Sequence, residues 1–292
     1  MRPAPRPAQR ERVPRDSSTA ITVRDIAHSH FSYPWHYHPE SEIILIVAGR
    51  GLRYVGDSIG EFEPGDLCLV GGGTPHCWLS EPIPGHPVRA LVIQFPPEVF
   101  GSDFLDLYAT RPLTLLFETA SQGVRIGGAS RSRVAAEMWR LVDPAVHDLE
   151  KLVCLLGILT GIATSKDIQT LALTPGHRPT SPRDATRAGK VLRYIHDHAC
   201  ERLAQQEVAS LVGMSAGAFS RFFTRHFGKP FVTYVAEVRI SQACRLLVEQ
   251  ELNVSEIAYQ VGFNNLANFN RHFLKLKGMT PSAYRKVAQG IG

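Results

Sequence analysis

The sequence has no apolar run long enough to cross a membrane, which takes about 18 consecutive apolar residues. The longest run, residues 152–163, is shorter than this and is interrupted by Gly157, Thr160 and Gly161. The first residues, MRPAPRPAQRERVPRD, contain no apolar core of a secretory signal. Cysteine is also scarce, and the five cysteines form no CxxC pair, which is typical of reduced thiols. These absences predict a cytoplasmic protein without a membrane segment or a disulfide framework.

Charge is distributed unevenly along the chain. Residues 184–292 carry 14 Lys/Arg against 8 Asp/Glu, whereas residues 25–183 carry 12 against 17. The N-terminal residues 1–24 carry 6 Lys/Arg against 2 Asp/Glu. A basic C-terminal region beside an acidic central region indicates that the C-terminal region is the one that meets a polyanion.

Short β-rich runs dominate residues 22–96. The runs EIILIVAG, GLRYVG, DLCLV and RALVIQF are separated by Gly, Pro and Asp turns. Regular short strands of this kind predict an all-β sandwich or barrel. The preceding residues, 1–21, are rich in Pro and Arg and are expected to form a disordered tail.

The periodicity becomes helical over residues 97–173. Leu149, Leu152, Leu156 and Leu159 recur at the spacing of one helix face, which is expected to cover the open side of the barrel. The stretch TPGHRPTSPRD is rich in Pro, Gly, Thr and Ser and indicates a linker, which we place at residues 174–188. Everything after it has helical periodicity.

Two segments of the C-terminal region are copies of one design. They read EVASLVGMSAGAFSRFFTRHFGKP and EIAYQVGFNNLANFNRHFLKLKGMTP. In each, a Val-Gly pair lies where a helix-turn-helix needs its tight turn, and Ser215 and Asn264 or Asn265 are suited to cap the following helix. The paired phenylalanines of each segment recur at the spacing of a buried face. Residues 231–250 join the segments, and 20 helical residues span about 30 Å, close to the ~34 Å between successive major grooves.

This arrangement resembles the AraC/XylS family of bacterial transcription regulators. The resemblance covers residues 189–287 and is carried by VASLVGMS, FSRFF, GKPF, VRISQACRLL and IAYQVGFNNLANFNRHFLKLKGMTPSAYR. It implies a tandem helix-turn-helix domain that binds double-stranded DNA with two recognition helices, 215–226 and 265–276. It also implies a homodimer formed through the helices before the linker, contact with RNA polymerase, and activation as the commoner outcome.

The candidate DNA-binding residues follow from the positions that match the family and from the chemistry of DNA. Arg pairs with guanine and Asn with adenine, whereas other basic residues contact phosphates and carry no sequence preference. Gly217 and Ala218 have no polar reach, so base reading by the first helix rests on Ser220 and Arg221. The full set of candidates is Ser220, Arg221, Arg225, Asn265, Asn268, Arg271, Lys275 and Lys277.

A second set of polar residues lies in WHYHPESEIILIVAGRG and EPGDLCLVGGGTPHCW. His36, His38 and Glu42, followed by Gly49, have the spacing H-x-H-x3-E-x6-G. His36 and His38 share one face of a strand because side chains alternate with period two. A partner strand would bring His76 opposite them. Three imidazoles and a carboxylate suit a borderline divalent metal.

Both motifs resemble those of the cupin barrel, over about residues 25–95. The resemblance implies a catalytic metal in cupin enzymes and a small effector, often a sugar, in sensor cupins attached to AraC-type DNA readers. Three interpretations remain open for this pocket: a metal-free effector site, a sensor that contains a metal, and a structural remnant. The candidate effector-binding residues are Trp35, His36, His38, Glu42, His76 and Trp78, and the candidate metal ligands are His36, His38, Glu42 and His76.

The sequence therefore predicts two domains, an N-terminal all-β cupin barrel with flanking helices and a C-terminal all-α tandem helix-turn-helix domain. The favoured function is a transcription regulator that responds to a small molecule and is not an enzyme. No cofactor is required in this interpretation, although a divalent metal fits the pocket. The alternatives are a metal-dependent cupin enzyme with a helical appendage, and an architectural DNA-binding protein without a ligand.

Overall fold

The computed structural model describes residues 21–32, 35–80, 82–96, 98–101, 103–172 and 182–288. The chain divides into two compact units with their boundary between Pro182 and Arg183. These are named here the N-terminal unit and the C-terminal unit. The predicted tail, apart from Ile21, and the part of the predicted linker before Pro182 lie outside the described residues.

The N-terminal unit has nine β-strands among its described residues. They are β1 Thr22–His28, β2 Ser41–Ala48, β3 Gly51–Val55, β4 Ser58–Phe62, β5 Leu67–Val70, β6 His76–Leu79, β7 Val88–Phe95, β8 Val124–Ile126 and β9 Ile168–Thr170. Six of them form one antiparallel sheet in the order β1-β7-β2-β5-β8-β9, and three form a second sheet in the order β4-β3-β6. The four runs quoted above correspond to β2, β3, β5 and β7, so their prediction as strands is confirmed.

The two faces of the larger sheet bury different apolar clusters because side chains alternate along each strand. On β2, Ile44 and Ile46 point inward and pack with Val55 and Trp78 of the smaller sheet. The two sheets therefore face each other. Glu42 has the same parity as Ile44, so the strand directs a carboxylate into the space between the sheets.

The opposite face of the larger sheet is covered by helices. These are α1 Arg111–Ala120, α2 Gly128–Arg140 and α3 Asp148–Ala163. Ile43 and Leu45 of β2 pack in one cluster with Leu155 and Ile158 of α3. Of the predicted leucine stripe, Leu159 is buried, Leu152 and Leu156 are half-buried, and Leu149 is exposed.

The boundary predicted at residue 96 is corrected by two strands. β8 pairs with β5 and β9 pairs with β8, so the sheet continues into the segment predicted to be helical. Each strand is only three residues long, too short to show an alternating pattern.

None of the helices in the described part of the chain has the length and apolar character that a membrane span requires.

The C-terminal unit consists of seven α-helices among its described residues. They are α4 Pro182–His198, α5 Gln205–Leu211, α6 Ala216–Phe227, α7 Phe231–Glu249, α8 Val254–Gln260, α9 Leu266–Lys277 and α10 Pro281–Ala288. The start of α4 corrects the predicted linker, since residues 182–188 are helical. Proline is favoured in the first turn of a helix because backbone N–H groups there have no intrahelical acceptor, so the lack of an N–H costs nothing. Asp184 lies in the same turn, where its negative charge complements the helix dipole.

The predicted repeat is confirmed as two helix-turn-helix motifs, α5–α6 and α8–α9. Gly213 and Gly262 both take positive φ in the turns, at +65° and +90°. After the turns, Met214 N–H donates to the Ala209 carbonyl, and Phe263 N–H makes the equivalent bond to Ala258, each at 3.0 Å. The helix between the motifs, α7, is continuous over 19 residues and about 28 Å.

Phenylalanines attach both motifs to α7, as their spacing predicted. Phe223 of α6 packs its ring against Phe231 and Tyr234, with centroids 5.4 Å apart in each pair. Phe269 and Phe273 of α9 are fully buried in a cluster with residues of the second half of α7. The two recognition helices are therefore fixed to one rigid element.

The two turn glycines, Gly213 and Gly262, give a matched test of how closely each turn is packed against neighbouring backbone. A Cβ on Gly262 would lie 2.7 Å from the Cys200 carbonyl oxygen, whereas a Cβ on Gly213 would meet nothing within 4 Å. Both alanine variants place a side chain in the left-handed region, at a cost of about 1–2 kcal/mol. We expect Gly262→Ala to cost at least about 1 kcal/mol more because the backbone must also move. Denaturant unfolding followed by loss of helical circular dichroism measures the difference, and equal losses would contradict it.

Candidate functional site

Three histidines converge between the two sheets of the N-terminal unit. His36 and His76 form an isolated antiparallel bridge, with His76 N–H donating to the His36 carbonyl at 2.9 Å. The ring centroids of His36 and His76 lie 4.4 Å apart, and those of His38 and His76 lie 5.1 Å apart. His76 therefore lies opposite His36, as the motif spacing predicted. One ring nitrogen from each of the three lies within 4.8 Å of the others, a group that could hold a metal ion.

Backbone carbonyls orient two of these rings. His76 Nδ1 lies 2.8 Å from the Thr74 carbonyl oxygen, and His38 Nδ1 lies 2.9 Å from that of Glu40. Each Nδ1 therefore carries the proton that it donates, which leaves the Nε2 atom of a neutral ring as a ligand. Such bonds to the second ring nitrogen are typical of metal-binding histidines.

A carboxylate and an amide complete the cluster. Glu42 Oε2 lies 3.2 Å from His38 Nε2, and Gln94 Nε2 donates to Glu42 Oε2 at 2.7 Å. Gln94 faces Glu42 because β7 pairs with β2 in the register Glu42–Gln94. The His38 ring faces two acceptors, the Glu40 carbonyl and the Glu42 carboxylate, and one donor, the Gln94 amide, whose Nε2 lies 3.3 Å from His38 Nε2. With Nδ1 protonated, Nε2 can bond the carboxylate only through a second proton or a metal ion, and without either the Gln94 amide bridges the two groups.

The charge states of the cluster favour a cation. Burial lowers the pKa of His76 to about 3, helped by the neighbouring His36, so this ring is neutral at neutral pH. Burial acts to raise the pKa of Glu42, but the hydrogen bond with His38 and the three nearby imidazoles outweigh it. The pKa of Glu42 therefore lies well below its usual range, and the group is a carboxylate.

The donor set fits a divalent metal. His76 Nε2 is fully buried, and among the described residues it has no hydrogen-bond partner. An orphaned buried nitrogen is costly unless a ligand satisfies it. The three imidazole nitrogens suit zinc, iron, nickel or copper. Glu42, predicted as a further ligand, is not in this group of three, although its Oε1 lies 3.8 Å from His76 Nε2.

A small cavity lies beside the cluster. It has a volume of about 40 Å³, and its walls include His36, Glu42 and Trp78. Trp35, predicted with Trp78 as an effector-binding residue, is buried but is not among the described residues that line this cavity. Sequence reasoning missed Arg24, which also lines it, and Gln94. Neither lies in a motif, and both reach the site only because β1 lies beside β7 and β7 lies beside β2 in the sheet.

The candidate DNA-binding residues lie on the solvent-facing sides of α6 and α9. Six of them are exposed: Ser220, Arg221, Arg225, Asn265, Arg271 and Lys275; Asn268 and Lys277 are half-buried. Corresponding positions of α6 and α9 lie fifty residues apart in the sequence, as do Gly228 and Gly278, the glycines that cap the ends of these two helices. Arg221 thus corresponds to Arg271, and Arg225 to Lys275. The same offset pairs Ser220 with Asn270, an exposed residue that the sequence reasoning missed.

Two polar side chains next to the recognition helices, those of Asn265 and Lys229, have bonding partners within the protein. Asn265 caps α9, accepting from Asn268 N–H at 3.1 Å, as Ser215 caps α6. Lys229, a basic residue just after the end of α6, pairs with Glu237 at 2.8 Å.

A hydrogen bond joins two predicted base readers of α9. Arg271 Nη2 donates to Asn268 Oδ1 at 2.7 Å, across one helical turn. The bond uses one of the five guanidinium N–H donors and fixes the direction of the side chain. Arg221 has no counterpart of Asn268, because the corresponding position in α6 is Ala218.

Comparisons with known proteins match both units. A cupin domain matches residues 23–93, and a helix-turn-helix domain matches residues 208–287. The HTH-type transcriptional regulator YdeC of Bacillus subtilis is 23% identical over 87% of this chain and 86% of its own length. The B. subtilis regulator YobQ is 34% identical over 33% of this chain and 40% of its own. The DNA-binding domain of the global transcriptional factor AdpA, solved with a target DNA, is 28% identical over 35% of this chain and 91% of that domain, with a TM-score of 0.34.

The two matched domains and their order define the class of protein: a DNA-binding, helix-turn-helix transcriptional regulator. Residues 23–93 match a cupin domain and residues 208–287 a helix-turn-helix domain, which is the domain order of AraC-type regulators with a cupin sensor.

Proposed function

We propose that this regulator senses a small molecule at a divalent metal held in its cupin domain, and that occupancy of the site changes DNA binding by the C-terminal unit. The observation that carries the proposal is the orphaned Nε2 of His76, which is buried between the sheets beside His36 and His38. His36, His38 and His76 would hold the metal, with Glu42 as the fourth ligand. The metal would supply a Lewis-acidic centre to which an oxygen of the effector binds.

The residues of this chain give the site its selectivity. The carbonyls of Thr74 and Glu40 hold the Nδ1 protons of His76 and His38, so both rings present Nε2. Gln94 donates to Glu42 and keeps its carboxylate directed at the cluster. The same ligand set serves cupin enzymes, which keeps a metal-dependent enzyme as the second candidate. Turnover of a substrate by the metal-loaded protein would favour the enzyme.

The DNA contacts divide between the two recognition helices. Arg221 of α6 and Arg271 of α9 are the principal base readers, since each is exposed in the second turn of its helix. Ser220 and Asn268 assist them. The exposed Arg225 and Lys275, with the half-buried Lys277 at the end of α9, contact phosphates. Asn265 acts through the helix start that it caps.

Dimerisation is proposed to use the outer face of α3. Leu149 and Val153 are each 65% exposed on this face, next to a groove between α2 and α3. Burying two large apolar side chains is favourable, at about 1.5–3 kcal/mol each. A change of both to Ser should lower the dimer fraction in analytical ultracentrifugation.

The metal site is tested by matched histidine variants of the full chain, purified without a histidine tag or chelator. We expect about one divalent metal per chain in the parent protein and in His86→Ala, whose imidazole is exposed in a loop. His38→Ala and His76→Ala should lose the metal because each removes a ligand. Stripping the metal should change DNA affinity of the full chain but not of a fragment of residues 182–292. A metal-free parent protein, or a His38→Ala variant that behaves like the parent, would contradict the proposal.

A further inference from the structure

The cavity beside the histidine cluster has a distinctive set of walls. The lining residues include apolar ones, such as Phe31 and Ile44, and polar ones, such as His36 and Glu42. Arg24 of β1 adds a guanidinium, and Trp78 of β6 adds an indole. A cavity of this kind takes a ligand with one polar end and one apolar end.

The polar groups of the cavity are linked in one chain. Arg24 Nη2 donates to Gln94 Oε1, and Gln94 Nε2 donates to Glu42 Oε2. Arg24 reaches Gln94 because β1 lies beside β7, with Arg24 opposite Val92 in the register. The guanidinium is therefore held at the cavity by the same amide that orients a proposed metal ligand.

Trp78 presents a donor that the protein leaves unsatisfied. Its side chain is 4% exposed, and no acceptor among the described residues accepts from its Nε1–H. A buried N–H without a partner costs about 1–3 kcal/mol. An acceptor oxygen on a ligand in the cavity would remove this cost.

The charges around the cavity indicate whether the ligand oxygen is anionic or neutral. With a divalent metal on the three neutral imidazoles, Arg24 and the metal carry three positive charges against the single negative charge of Glu42. A buried excess of positive charge favours an anionic ligand over a neutral one. Arginine also binds carboxylates through two parallel N–H bonds.

Size limits the ligand to a few heavy atoms. The volume of about 40 Å³ is a few times the ~10–15 Å³ of cavity that one water needs and far below the roughly 300–1,000 Å³ of pockets for drug-sized ligands. This favours an acetate-sized molecule over the sugar that the family resemblance implied.

We propose that the cupin cavity binds a small monocarboxylate, of the size of acetate, whose carboxylate accepts from Arg24 and from the Trp78 indole. Its short apolar end packs against Phe31 and Ile44. The inference rests on the proposed function, since it names the class of ligand that the sensor site takes. Arg24 and Trp78 are the residues that select the carboxylate.

The test is a calorimetric titration of the full, zinc-loaded chain with acetate and with acetamide, its neutral isostere. We expect acetate to bind at least about tenfold more tightly, because only the anion satisfies the positive site. Arg24→Gln and Trp78→Phe should each weaken acetate binding by at least about tenfold, since each removes a donor to a charged group. Neither residue is a proposed metal ligand, so both variants should keep their zinc.

Arg89→Gln is the matched control. Arg89 lies on β7 and pairs with Asp25 of β1, but its side chain is exposed outside the cavity. Its removal should leave acetate affinity unchanged. Circular dichroism melting checks that each variant is folded, and Trp78→Phe keeps the test decisive if Arg24→Gln does not fold.

The outcomes separate this inference from the proposed function. Equal affinities for acetate and acetamide, no acetate binding by a zinc-loaded chain, or unchanged binding in both Arg24→Gln and Trp78→Phe would each overturn the carboxylate assignment while leaving the metal site intact. A parent chain that holds no zinc would instead count against the proposed function, and the same titration of the metal-free protein would then decide whether Arg24 and Trp78 bind acetate.

Discussion

A fragment of residues 182–292 is expected to bind duplex DNA without the cupin domain. Its affinity should fall by about 10³–10⁵ between about 50 and 200 mM salt if it makes roughly six to ten phosphate contacts. The physical reason is the release of counterions when Lys and Arg neutralise phosphates. The fragment contains both helix-turn-helix motifs and the helix α7 that holds them. Fluorescence anisotropy over a salt series measures the slope.

The starting residue of the fragment follows from the structure. Helix α4 begins at Pro182, and α7 holds its far end through Arg239, whose Nε donates to the Ala199 carbonyl at 2.7 Å. A fragment that begins at residue 189 would cut α4 within its helix. We therefore expect it to be less stable than the longer fragment.

Two lysines provide matched variants for the salt slope. Lys275 of α9 is exposed, so Lys275→Ala should reduce the slope by about one unit of log affinity per unit of log salt. Lys229 is paired with Glu237, so Lys229→Ala should leave the slope nearly unchanged. A folded fragment that does not bind DNA at low salt would contradict the DNA-reading role of this unit.

The sequence was most informative where function depends on local spacing. The repeated Val-Gly turns, Ser215 and Asn265 as caps, and the buried phenylalanines were all readable because helix geometry fixes which positions share a face. The cupin motif likewise predicted His76 opposite His36. In each case the residues that matter lie within one element or in two adjacent ones.

The sequence was least informative where residues meet through the sheet. Arg24 and Gln94 belong to no motif, and their approach to Glu42 depends on the order β1-β7-β2. β8 and β9 are three-residue strands whose pairing with β5 and with each other is decided by the sheet. Such contacts follow from tertiary pairing, which no local pattern encodes.

The last expected result concerns base recognition by α9. Arg271→Ala should cost about 1–3 kcal/mol, roughly fivefold to 150-fold in affinity, on a duplex that the parent protein selects from a random-sequence pool. A guanidinium that pairs with guanine in the major groove loses both of its bonds when it is truncated. On a scrambled duplex the loss should be smaller, so sequence preference should relax.

Two variants on the same helix separate the contributions to that loss. Lys275→Ala, one turn further along, should weaken binding about equally on the selected and scrambled duplexes because phosphate contacts carry no sequence preference. Asn268→Ala should reproduce part of the Arg271 effect at the same base pair, because it removes the acceptor that holds the guanidinium at 2.7 Å. If Arg271→Ala and Lys275→Ala instead weaken both duplexes to the same extent, Arg271 contacts the backbone and base reading by this motif must rest on other residues of α9.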